Sequence, residues 1–174
     1  MILFLMILFL TVIYKIKKTK EKWRFVMGIL NSELNYDLVL TDLSKSCMSE
    51  EVCGTCSHND CIIGYAKKCI TQCFKEENTY VVNGAQQIPL TDFKVFDTEH
   101  LEEAIAHILK QCKSCKENHF DNCVINIIRN CYEIGLFGEI QNYEGSAFRY
   151  LNQIHNSHPE IANSIISFFH ETED

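Results

Sequence analysis

Residues 53–73 read CGTCSHNDCIIGYAKKCITQC, and residues 112–131 read CKSCKENHFDNCVINIIRNC. The two stretches share an order. Cys53-x2-Cys56-x4-Cys61-x7-Cys69 answers to Cys112-x2-Cys115-x7-Cys123-x7-Cys131, and each carries a histidine and then an aspartate before its third cysteine: His58 and Asp60 in one, His119 and Asp121 in the other. This is a degenerate internal repeat. In the first copy Ile62, Ala66, Cys69, Ile70 and Cys73 follow the i, i+4, i+7, i+8, i+11 spacing of one helix face, and in the second Val124, Ile127, Ile128, Cys131 and Ile134 follow i, i+3, i+4, i+7, i+10, also one face. Each copy is therefore read as a polar cysteine loop feeding an amphipathic helix, and the fold class is mainly α.

The rest of the chain agrees. Asp97 or Thr98 can cap a helix that buries Leu101, Ile105, Ile108, Leu109 and Cys112. Gly135 or Gly138 should end the second repeat helix. Gly145-Ser146 reads as a helix start for residues 146–155, and Pro159 suits the first turn of a last helix through Phe169. Asp37 to Leu43 reads equally as strand or helix. Thr79 to Val82, Asn83-Gly84 and Ala85 to Ile88 read as a short hairpin, because Asn-Gly tolerates the positive φ of a tight turn. Pro89 confines its second strand to an edge. Glu102-Glu103 reads as a solvated helix face. The expected architecture is an irregular bundle of five or six helices with one small β-hairpin, plus an N-terminal apolar helix.

Ten cysteines need an explanation, because a body of about 140 residues can build a core without cross-links. Two residues between cysteines allow a turn that points both sulfurs at one ion, about 2.3 Å away for zinc. A third cysteine at a helix start gains from the helix dipole, which favours the coordinating thiolate. The candidate ligands are Cys53, Cys56, Cys61 and His58 in the first copy, and Cys112, Cys115, Cys123 and His119 in the second. The ligands form two sites of three cysteines and one histidine, or the two CxxC pairs converge on a single site of four cysteines. Cys69, Cys73 and Cys131 lie on apolar stripes, where a thiol packs as a small hydrophobe. The alternative cofactor is an iron–sulfur cluster, although neither run has the usual ferredoxin spacing.

Residues 1–14, MILFLMILFLTVIY, carry no charge, and Ile16 extends the run. Sixteen residues is short for a spanning helix of about 20. No basic residue precedes the run and no small-x-small cleavage site follows it, which argues for an anchor over a removed signal peptide. The flanking Lys15, Lys17, Lys18, Lys20, Lys22 and Arg24 predict a single pass with the body on the cytoplasmic side. The domain reading is an anchor over 1–16, a basic juxtamembrane helix or linker over 17–36, and a cysteine-rich helical domain over 37–174. A start at Met27 would remove the anchor.

Beyond residue 24 the chain holds ten basic and twenty-two acidic residues, a net charge of −12. A body that acidic repels phosphate backbones, which argues against nucleic acid as a partner. No GxGxxG, P-loop, HExxH or GxSxG pattern occurs, so nothing in the sequence points to an enzyme. The leading expectation is a membrane-anchored cytoplasmic module, held by structural zinc, that works by binding a protein partner. The alternatives are an iron–sulfur electron-transfer or redox-sensing protein, and an exported domain stapled by disulfides.

Overall fold

A computed structural model of the chain describes residues 34–48, 50–54, 60–114 and 121–171. The expected anchor over 1–16 and the basic segment through residue 33 lie outside these residues. Met1–Asn35 and Tyr36–Asp174 form two units. Among its described residues the second unit has six helices of ten residues or more and no strand. They are α1 (Tyr36–Lys45), α2 (Ile62–Glu76), α3 (Thr98–Ser114), α4 (Val124–Phe137), α5 (Ala147–Ser157) and α6 (Pro159–Glu171). A single helical turn, Glu50–Cys53, precedes α2, and a 3-10 turn, Ala85–Gln87, lies between α2 and α3. No described helix is long and apolar enough to cross a membrane.

Local chemistry sets most helix ends. The ambiguous segment 37–43 is helical because Val39, Asp42 and Leu43 share one buried face, with Asp37 in the first turn and Lys45 in the last matching the helix dipole. Asp97 Oδ1 accepts from the His100 amide at 2.9 Å and starts α3. Ser146 Oγ accepts from the Arg149 amide at 3.3 Å and starts α5. Gly138 ends α4 in the left-handed region at φ 79, its N–H returning to the Ile134 carbonyl. Gly135 does not end it. There a Cβ would stand only 3.1–3.3 Å from Leu101, Ile62 and Phe96, so the missing side chain lets three elements meet.

The expected hairpin is not formed. Only Asn83 takes a positive φ, 54°, while Gly84 stays right-handed at −63°, so the paired left-handed residues of a type I′ turn are lacking. Asn122 competes for this chain. Its carbonyl accepts from the Val81 amide at 3.0 Å and its side chain accepts from the Ala85 amide at 3.0 Å. Tyr80 instead makes one antiparallel bridge with Cys123, and residues 85–87 coil into the 3-10 turn.

Helix α3 is central and packs against α1, α4, α5 and α6, while α2 packs against α4 and α1. Leu101, Ile105, Ile108 and Leu109 of α3 are fully buried, with Ile127, Ile128 and Tyr132 of α4 and Ile62 and Ile70 of α2. Each such side chain contributes roughly 1.5–3 kcal/mol of transfer free energy. Buried polar groups are interleaved with them. Glu102 does not face solvent as expected; it is buried against α6 and accepts from Ser164 Oγ at 2.5 Å. Its neighbour Glu103 pairs with Lys45 at 2.8 Å. On α4, Arg129 Nε donates to Glu133 at 2.9 Å and its other nitrogens reach the side chains of Asn126 and Asn130. The second Glu133 oxygen accepts from the Gln141 amide at 2.8 Å, which ties the loop after α4 to the core. Burial raises the Glu133 pKa, more than Arg129 and the Gln141 amide lower it.

Candidate functional site: the cysteines of the α2–α4 pair

Both repeat helices begin immediately after the third cysteine of their copy. Cys61 is the N-cap of α2 and Cys123 is the N-cap of α4. At Cys61 the sulfur accepts from the Gly64 amide at 3.5 Å. The first α2 amide, Ile62 N–H, is taken by Asp92 Oδ2 at 2.9 Å. Asp92 in turn holds Lys94 Nζ at 2.6 Å.

The two helices run antiparallel. The Val124 amide donates to the Thr79 carbonyl at 2.8 Å, so α4 starts beside the chain leaving α2. At the other end Gly135 lies against Ile62, the first residue of α2. Cys61 and Cys73 are separated by twelve helical residues, about 18 Å at 1.5 Å each. Cys73 is close enough to Cys123 for the two to interact electrostatically. The two capping cysteines therefore stand at opposite ends of the pair.

The remaining candidates follow these ends. Cys53, at the end of its helical turn, shares an end with Cys61, since both bear on Lys94. Cys112 lies inside the last turn of α3 and is buried, not in a polar loop. Leu101, near the start of α3, packs on Gly135 late in α4, so α3 and α4 are also antiparallel and Cys112 is at the end where α4 begins. The structure thus brings Cys53 toward Cys61, and Cys112 toward the Cys123 end, but it keeps these two groups apart. That geometry speaks against one site shared by both CxxC pairs. Cys56, His58, Cys115 and His119 lie outside the described residues. Among the described residues no three His, Cys, Asp or Glu side chains form a metal-ligand group. Cys47, Cys53, Cys61, Cys69, Cys73 and Cys131 are free thiols.

Electrostatics separate cap from core. Burial pushes the Cys61 thiol up, more than the Gly64 amide lowers it, so the thiolate expected from the helix dipole is not favoured in the bare protein. A bound cation would reverse this, since a coordinating thiol is deprotonated by the ion itself. Cys69, Cys73 and Cys131 are buried on the apolar faces, as their spacing predicts. Burial raises all three, Cys73 to about 12. They are protonated packing thiols at neutral pH. Tyr65, one turn before Cys69, donates its hydroxyl to the Gly84 carbonyl at 2.7 Å and fastens the 3-10 segment onto α2.

Three features escape sequence reading. A buried pair, Asp42 with His107, joins α1 to α3 with 2.9 Å between Oδ2 and Nδ1. In the stretch Leu90 to Val95, Leu90, Phe93 and Val95 project into solvent, the last two 88% and 85% exposed. A pocket of about 1190 Å³ lies between the end of α3, the loop before α5, and the sides of α5 and α6. Of these, only the alternation of Phe93, Lys94, Val95 and Phe96 carries a sequence signal, an outward–inward pattern of period two.

No known protein family, curated protein or solved structure matches the chain.

Proposed function

We propose that this chain is a membrane-anchored cytoplasmic module that carries zinc in two cysteine loops and acts by binding a protein partner. The observation that carries the reading is the run Leu90–Val95 beside the first cysteine loop. Phe93 and Val95 are almost fully exposed, while Asp92 before them accepts from the first amide of α2 and Lys94 between them pairs with Asp92 and bears on Cys53 and Cys61. Large apolar side chains held outward next to a ligand cluster suit an interaction surface. The backbone of Phe93 and Val95 makes no hydrogen bond among the described residues, and an extended edge of this kind can accept a partner strand.

In this reading the metal has a structural role. At one end Cys53, Cys56, His58 and Cys61 close a loop onto the cap of α2. At the other, Cys112, Cys115, His119 and Cys123 link the end of α3 to the cap of α4. Each loop joins two elements through one ion, whose binding energy becomes folding energy. The N-terminal apolar run and its basic flank supply the membrane attachment.

Elemental analysis of the purified full chain tests the reading. Two sites predict about two equivalents of zinc, lowered melting temperature on chelation, and recovery on zinc addition. Less than about half an equivalent in folded protein refutes it. A brown protein with the visible absorption of thiolate-ligated iron assigns the same cysteines to an iron–sulfur cluster instead.

A further inference from the structure

Large apolar side chains are exposed at both ends of α2. At its start are Phe93 and Val95, next to Asp92, which accepts from the Ile62 amide. At its end Phe74, Tyr80 and Val82 are 60%, 50% and 70% exposed. With fifteen residues at 1.5 Å each, α2 sets its two ends about 22 Å apart. The second group is tied together through α1. The ring of Tyr36, the first residue of α1, packs edge-on against Phe74 with 5.3 Å between centroids. The Tyr36 hydroxyl donates to the Asn78 carbonyl at 3.4 Å, and the Asn78 side chain accepts from the Tyr80 amide at 3.2 Å. Because α1 begins here, the chain that leads back to the basic residues and the apolar run leaves the body at this face. Eleven residues separate Arg24 from Tyr36, a reach of about 40 Å. A tether that short holds the face at an effective concentration on the order of millimolar against lipid, so a shallow contact suffices. The charge here is modest: Lys75 stands with Asp37, Glu76 and Glu77, and the side-chain amides of Gln72 and Asn78 engage Glu76. Contact therefore draws on apolar rings and not on anionic headgroups. Tyrosine, apolar with one polar tip, suits the headgroup level.

We propose that the face carrying Tyr36, Phe74, Tyr80 and Val82 rests on the lipid surface, its rings at headgroup level, with the Phe93–Val95 run at the end of α2 away from the membrane. This presupposes the membrane attachment proposed above and adds which face of the body meets lipid. A protein partner at Phe93 then approaches from the cytoplasm without meeting headgroups.

The test uses the full chain in phosphatidylcholine vesicles, with phosphatidylcholine brominated near the top of its acyl chains as a fluorescence quencher. Trp23 is the one tryptophan. Trp23→Phe clears the background, and Phe74→Trp or Phe93→Trp then reports one end of α2 at a time. Both positions are exposed, so both variants should keep the wild-type far-ultraviolet circular dichroism. Flotation with the vesicles is read first. Phe74→Trp should give blue-shifted emission, roughly half of it lost to brominated lipid, and Phe93→Trp water-like, unquenched emission. Adding Tyr80→Ser and Val82→Ser should cut the Phe74→Trp quenching at least twofold. Equal quenching at the two positions, or none at Phe74→Trp, would overturn the proposal. A blue shift at Phe74→Trp without quenching would overturn it too, and would place a second copy of the chain on this face. A chain that does not float overturns the membrane attachment as well, whereas flotation without Phe74→Trp quenching overturns this face alone.

Discussion

Replacing His107 by Leu tests what holds α1 to the bundle. Among the described residues, Lys45–Glu103 and Asp42–His107 are polar ties from α1 to α3. Lys45 and Glu103 are 2.8 Å apart, but their side chains are 42% and 26% exposed. Pairs of that kind contribute about 0.2–1 kcal/mol. Asp42 and His107 are 2.9 Å apart with side chains only 3% and 7% exposed. Asp42 Oδ1 already has no hydrogen-bond partner. Removing His107 leaves both carboxylate oxygens buried and unpaired, which costs about 3–5 kcal/mol. The buried pair therefore outweighs the exposed one several-fold. For a domain near 150 residues, at roughly 2–4 °C per kcal/mol, His107→Leu should lower the melting temperature by about 6–20 °C. Lys45→Ala should lower it by about 4 °C at most. The double change Asp42→Leu with His107→Leu should recover most of the loss, because it removes the stranded charge. Thermal and urea unfolding followed by circular dichroism at a helical wavelength measures all three. The reasoning fails if His107→Leu costs under about 1 kcal/mol, or if the double variant is no more stable than the single one.

Three further outcomes follow from named contacts. Asp92→Ala removes the acceptor for Ile62 N–H and the partner of Lys94, and should cost about 1–2 kcal/mol at neutral pH. Burial raises the Asp92 pKa, but the hydrogen bonds from Lys94 and the Ile62 amide outweigh it and hold the carboxyl below its usual range. Its contribution is therefore complete above the unfolded value of about 3.9 and is lost as pH falls through the lower folded value. The gap between wild type and variant in urea melts should close on acidification; a gap that widens in acid contradicts this. Serine at Cys53, Cys56, Cys112 or Cys115 should release metal, whereas Ala at Cys69, Cys73 or Cys131 should keep it and cost roughly 1–2 kcal/mol. Equal metal loss in both groups, read by elemental analysis, would show the ligands to be misassigned. Tyr132→Phe deletes a buried hydroxyl that has no partner. It should be neutral or stabilising by about 1 kcal/mol, and a clear loss in the same melts would mean that the hydroxyl is hydrogen-bonded.

Helices and their ends were legible because they depend on near neighbours. The stripe Ile62 to Cys73, the cap at Asp97 and the start at Ser146 each involve groups within a few positions of one another. The burial of Cys69, Cys73 and Cys131 was legible for the same reason, as a matter of period. Where a partner distant in sequence competes, local reading failed. Asn122 draws residues 81–85 away from a hairpin, Ser164 draws Glu102 inward, and Leu101, Ile62 and Phe96 turn Gly135 from a helix end into a close contact. The repeat itself said that each copy is a cysteine loop ahead of a helix. It could not say that the helices pack antiparallel, which separates Cys61 from Cys123 by the length of α2. Spacing along a chain determines which side chains share a helix face; only packing between helices determines which faces and ends meet, because burial of apolar surface rewards any close fit regardless of distance in sequence.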